Sequence, residues 1–194
     1  GVDLSVFTQQ SFDSGVPVII LAARLLKDKG VKEFVEAAKL VNINNNRARF
    51  ALVGEPDFDN PASIQRYELE NWKNERIIEL WGHREDMEKV IPLSTIVVLP
   101  SYREGTPRSV LEAMAMARAI ITTDVPGCRE TVLNNINGFL VAAKSVDEIV
   151  VAMMKFIQNK NLAFEMGRSS YNIVRELYDV KLVNKDMLKI MGSS

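Results

Sequence analysis

The sequence is poor in the residues that build metal and disulfide sites. It has one cysteine, Cys128, and one histidine, His83. That excludes an intrachain disulfide, a cysteine-based zinc cluster and a multi-histidine metal site. No apolar run approaches roughly 18 residues, so nothing reads as a membrane-spanning segment, and no signal peptide is visible. Neither sign of charge dominates: 24 Lys and Arg against 25 Asp and Glu give a net charge of -1. There is therefore no global attraction for nucleic acid or anionic lipid. The chain starts at Gly1, without a methionine, and is expected to be a piece of a longer protein in a reducing, cytoplasmic compartment. What is present is ordinary for a globular protein: 47% apolar and 25% charged residues over 194 positions, enough for one substantial core.

Short β-rich runs alternate with helical patterns, without internal repeats or low-complexity stretches. The run at 17–24 is almost continuously apolar, as in a strand buried on both faces. "GVKEFVEAAKLV" (30–41) sets Val31, Phe34, Val35, Ala38 and Val41 at helical spacing. Further strands are expected at 49–54, 77–82, 94–101, 119–124 and 137–142. A helix is expected from about Pro107 to Ala117, and three more at 146–158, 160–177 and 180–191. Alternation of this kind predicts a doubly wound, Rossmann-like α/β parallel sheet. In such sheets ligands sit beyond the carboxyl ends of the strands. The polar and glycine-rich segments "RLLKDKG", "GEPD", "GHRED", "SYREGTPRS" and "DVPG" all fall there, as solvated loops also would.

"SYREGTPRSVLEAMA" (101–115) carries Glu104 on a loop and Glu112 within the helix that follows. Thr106 is expected as N-cap and Pro107 as the first helical residue, which leaves the amides of Arg108 and Ser109 free. Gly105 removes a side chain where backbone meets a ligand. Free amides at a helix start favour an anion, phosphate above all. A carboxylate beside a phosphate site suits the paired hydroxyls of a ribose. The plainer reading is an Arg108–Glu112 helix pair worth about 0.2–0.5 kcal/mol, and on this segment alone both stand. At the end of the first strand, Arg24 and Lys29 are two cations able to neutralise a diphosphate. They read equally well as solvated residues around a turn.

Taken together these segments resemble the C-terminal, nucleotide-sugar-binding domain of retaining glycosyltransferases of family 4, which have the GT-B fold. "GVDLSVF" (1–7) is similar to the segment after that family's interdomain linker, and "LAARLLKDKG" (21–30) to its Arg-plus-Lys phosphate motif. "GHREDMEKVIPLSTIVVLPS" (82–101) resembles the approach to the active-site loop. "REGTPRSVLEAMAMARAIITTDVPGCRE" (103–130) contains its Glu-x7-Glu motif as Glu104 and Glu112. The likeness runs from Gly1 into the closing helices and is strongest between 82 and 141. Ala117 and Ala119 depart from it, standing where many relatives have glycine and proline.

The resemblance implies that Arg24 and Lys29 contact the donor diphosphate and that Gly105, Thr106, Arg108 and Ser109 cradle its distal phosphate. Glu112 would bind the ribose, Glu104 would be the catalytic residue near the donor sugar, and Gly82 and His83 would lie on the base side. It further implies one donor-binding domain over 1–194, with an α/β core at 13–177 and a closing helix at 178–194. An N-terminal domain would supply the acceptor site. The donor is expected to be a UDP-linked hexose or N-acetylhexosamine, and the acceptor a glycan or lipid-linked glycan of bacterial surface polysaccharide. No cofactor, metal or nucleic acid is expected, and the complete enzyme would sit peripherally at the inner membrane face. The chain alone is expected to bind donor but hardly to transfer. Rival readings are a glycoside hydrolase using Glu104 and Glu112, a non-catalytic nucleotide-binding module, and an epimerase or phosphorylase of the same architecture.

Overall fold

A computed structural model describes residues 1–11, 15–43 and 48–184. Six strands form one parallel sheet: β1 (Val18–Ala22), β2 (Arg49–Val53), β3 (Glu79–Gly82), β4 (Ile96–Leu99), β5 (Ala119–Thr123) and β6 (Gly138–Val141). Their spatial order is β3-β2-β1-β4-β5-β6. The helices are α1 (Val31–Ile43), α2 (Arg66–Asn74), α3 (Met87–Val90), α4 (Arg108–Ala115), α5 (Val146–Gln158) and α6 (Lys160–Leu177).

The run of apolar residues in β1 is explained by the layers on either side. Side chains alternate along a strand. Ile19 and Leu21 join a core with Phe34 and Val35 of α1 and Met153 and Phe156 of α5. Val18, Ile20 and Ala22 join another with Val110 and Met114 of α4 and Val174 of α6. Every one of these residues is buried, so β1 has no solvent face to make polar. The backbone connections at the carboxyl ends also touch. Gly30 has φ 71°, and a Cβ there would lie 2.1 Å from the Pro100 carbonyl oxygen. The loop after β1 is thereby pressed onto the loop after β4.

At the opposite end of β5, Arg118 is fully buried. Its guanidinium donates to the carbonyls of Gln10 and Met116, both at 2.7 Å, and of Pro92 at 3.2 Å. Burial lowers its pKa to about 10, which leaves it charged at neutral pH. A planar fork of donors suits carbonyls converging from three segments. The first residues are tied down as well. Val2 and Phe7 are buried, the Val2 amide donates to Tyr178 O at 2.8 Å, and the Val180 amide donates to Val2 O at 3.0 Å.

Strand and helix positions follow the sequence reading, with four corrections. Helix α4 begins at Arg108, with Pro107 as N-cap and no side-chain cap. Thr106 is therefore not the cap and Pro107 not the first helical residue. Pro107 has a helical φ of -72° but an extended ψ of 116°, so the proline ring fixes only one of the two angles a helix needs. The helix also stops two residues early: Ala117 turns left-handed at φ 57°, and Gly167 of α6 packs against its carbonyl. Helices α2 and α3 were not anticipated. After α6 a helical turn covers 180–184; the rest of the expected closing helix, and the start of the expected core at 13, lie outside the described residues.

Candidate functional site

Strand order reverses between β1 and β4, so the loops that leave these neighbouring strands diverge and open a crevice. Two adjoining clefts occupy it, of about 530 and 300 Å³. Ala22, Ala23, Arg24, Ser109 and Glu112 line both, which makes them two halves of one groove. The larger half runs past Glu55, Asp57, His83 and Arg84, at the ends of β2 and β3. The smaller half contains Lys29, Glu104, Pro107 and Arg108.

Lys29 closes a 3-10 turn at 27–29, and its Nζ lies 2.6 Å from Glu104 Oε1. Their side chains are 17% and 15% exposed, so the pair is largely removed from water. Glu112 sits on the second turn of α4, its side chain 8% exposed, with Oε1 2.8 Å from Arg108 Nε. Burial pushes its carboxyl above the ordinary value, and Arg108 opposes this only in part. Arg108 itself is 85% exposed, so it shields the acid without sharing its burial. The helix pair that the sequence offered as the plain reading is present.

Val110 and Leu111 are the first amides of α4 to find a partner, both donating to Pro107 O. Those of Arg108 and Ser109 precede them and have no intrahelical acceptor. Among the described residues, no atom beyond its chain neighbours stands within 4 Å of where a Cβ on Gly105 would be, so the loop is open there on its outer side. On its inner side it is packed: Gly127, at φ 85°, would place a Cβ 2.1 Å from Gly105 O and 2.2 Å from Glu104 O.

Seven sequence-identified residues thus meet in the groove: Arg24, Lys29, His83, Glu104, Arg108, Ser109 and Glu112. Gly82, Gly105 and Thr106 are not among those that line it. Gly82, at φ 69°, instead accepts a bond from the Gly54 amide at 2.8 Å, holding the loop ends after β2 and β3 together. The sequence reading did not assign Glu55, Asp57, Arg84 or Gly127. The first three were findable only as members of polar strand-end segments. Arg84 chelates Asp86 through two bonds of 2.8 and 2.9 Å, which holds that carboxyl down at about 2. Among the described residues no helix is long and apolar enough to cross a membrane.

Comparison with known proteins gives a consistent picture. The family described as glycosyl transferases group 1 matches residues 5–173. A curated relative from Campylobacter jejuni, N,N'-diacetylbacillosaminyl-diphospho-undecaprenol alpha-1,3-N-acetylgalactosaminyltransferase, is 31% identical over 174 residues. That match takes in 90% of this chain and 44% of the relative, so the chain spans less than half of its length. Among solved structures, Anabaena Alr3699/HepE in complex with UDP superposes with a TM-score of 0.89 at 18% identity, over all of this chain and 56% of that one. The C-terminal domain of a glycosyl transferase group 1 family protein, LpcC from Francisella tularensis, matches with a TM-score of 0.75 and 24% identity, over 93% of this chain and all of that one.

Proposed function

The chain belongs to the glycosyl transferases group 1 family, and on that premise we propose that it is the donor-binding, C-terminal domain of a retaining glycosyltransferase of family 4. The observation that carries this reading is the single groove whose two halves share Arg24, Ser109 and Glu112. A nucleoside in the larger half sets its ribose hydroxyls against the Glu112 carboxylate and its base towards Gly82 and His83. The diphosphate then crosses Arg24, Lys29 and the free amides at the start of α4. The sugar lies by Glu104. In this reading the opening at Gly105 admits the distal phosphate to the backbone.

The chemistry follows from charge. As the sugar departs, negative charge builds on the diphosphate, and donors aimed at that charge lower the barrier. Arg24, Lys29 and the α4 amides do this without a metal. A hexosyl or N-acetylhexosaminyl unit passes to a hydroxyl on a glycan or lipid-linked glycan of bacterial surface polysaccharide, from a UDP donor. Glu104 and Glu112 are each paired with a cation, an arrangement suited to an anionic ligand rather than to the free carboxylate pair of a glycoside hydrolase. In the complete enzyme an N-terminal domain supplies the acceptor side.

The test is thermal unfolding with UDP, GDP, ADP and UDP-sugars. UDP at about 100 times its dissociation constant adds about 2.7 kcal/mol, or roughly 5–11 °C at 2–4 °C per kcal/mol. The shift is expected with UDP and lost in Glu112→Ala. A Glu112→Ala variant that loses less than about fivefold in UDP affinity, under 1 kcal/mol, would refute the ribose role.

A further inference from the structure

Outside the groove, one side chain joins the loop that carries Glu104 to the helix that follows Lys29. The Tyr102 hydroxyl donates to Glu33 Oε1, on the first turn of α1, at 2.5 Å. Its ring lies beneath Lys144, whose Nζ is 4.8 Å from the centroid, and its amide donates to Asp28 O at 2.8 Å. The neighbouring Ser101 hydroxyl lies 2.9 Å from the same carbonyl, and Thr123 donates to Ser101 O. The strand-end loops after β1, β4 and β6 therefore meet at Tyr102. The other carboxylate oxygen of Glu33, Oε2, is buried without a hydrogen-bond partner. The phenol is thus the one hydrogen bond this carboxylate receives among the described residues.

We propose that Tyr102 is a positioning residue of the donor site: through Glu33 it locks the Glu104 loop onto α1 and so fixes the Lys29–Glu104 pair beside the donor sugar. This rests on the donor-site reading above. Lys29 and Glu104 already touch, so an arriving diphosphate must share Lys29 with a carboxylate. The exchange leaves Glu104 facing the sugar only if both backbones stay in place. Tyr102 is two residues from Glu104, and Glu33 four from Lys29. Their bond spans the two segments that the exchange would otherwise push apart.

The experiment is calorimetric titration of this chain with UDP and with UDP-GalNAc, UDP-Gal, UDP-GlcNAc and UDP-Glc, read as the ratio of UDP affinity to that of the tightest sugar nucleotide. Tyr102→Phe keeps the ring and its lysine and removes one bond. The wild type is expected to hold its best sugar nucleotide at least about fivefold more tightly than UDP. Tyr102→Phe should keep UDP affinity within about threefold while the advantage of the sugar falls below about twofold. Glu33→Gln still offers an oxygen to the phenol and should keep the wild-type ratio; Glu33→Leu should follow Tyr102→Phe. A tyrosine that only stabilises the fold would lower the melting temperature and leave the ratio intact, and that result overturns the proposal. So does a wild type without preference for any sugar nucleotide. A wild type that binds no UDP removes the donor-site reading itself, and the positioning role with it.

Discussion

Gly127 gives the sharpest test of how the site is built. An alanine there meets two separate obstacles. Its φ of 85° is left-handed backbone, which disfavours an L side chain by about 1–2 kcal/mol. Its methyl would also stand 2.1 and 2.2 Å from the carbonyl oxygens of Gly105 and Glu104. These are main-chain atoms, so relief comes only by moving the loop, at about 1–3 kcal/mol for overpacking. A more restricted unfolded chain returns about 0.4–1 kcal/mol. Gly127→Ala should therefore lose about 1–4.6 kcal/mol, seen as a fall in melting temperature of roughly 2–18 °C. UDP-sugar affinity should fall too, because the displaced backbone carries Glu104. Gly105→Ala is the matched control. Open space awaits its methyl, so the restricted unfolded chain should raise stability by about 0.4–1 kcal/mol, while in the donor-site reading binding weakens because the methyl meets the distal phosphate. Gly127→Ala melting within 2 °C of wild type, on the order of 1 kcal/mol, with unchanged affinity would refute the packing argument.

Glu112→Gln should melt higher than wild type at pH 7. The raised carboxyl means that the folded state holds its proton more tightly than the unfolded one, so wild-type stability falls as pH rises through the folded value. The amide carries no charge to bury, and Arg108 is solvated without its partner. The advantage should shrink towards about pH 4, and UDP binding should be lost; melting curves across pH 4–8 read both. Arg118→Lys should lose about 2–5 kcal/mol in urea unfolding, since a single ammonium cannot serve carbonyls arriving from Gln10, Pro92 and Met116.

The parallel sheet was legible because its central strands are buried on both faces, and that writes unbroken apolar runs such as 17–24. Helix α5 was legible from its spacing, and the structure has it at Val146–Gln158 as read. Helix α2 was not, for a physical reason. It buries only Leu69, so its sequence carries no apolar stripe. What holds it is local: a capping box between Gln65 and Glu68 and a 2.5 Å pair between Glu68 and Lys32. The Gln-x-x-Glu spacing at 65–68 was the available signal. In the groove, the Arg108–Glu112 pair was legible from its i,i+4 spacing, but the Lys29–Glu104 pair was not. Nothing in the spacing of Lys29 and Glu104 says that they touch, because the contact depends on Gly30 bringing one loop against Pro100. Gly127 is silent for the same reason: its partner lies on a loop more than twenty positions earlier.

The bonds between Val2 and the Tyr178–Val180 segment have a mechanical consequence. The two stretches run side by side in the same direction, so a pull on the two ends of the described chain draws them past each other. Both bonds then bear load together instead of opening one after the other. The tether lies outside the sheet and far along the chain from the loops of the groove. A pull would therefore reach these two bonds, and the buried side chains of Val2 and Phe7 behind them, before it strained the strands that carry the site.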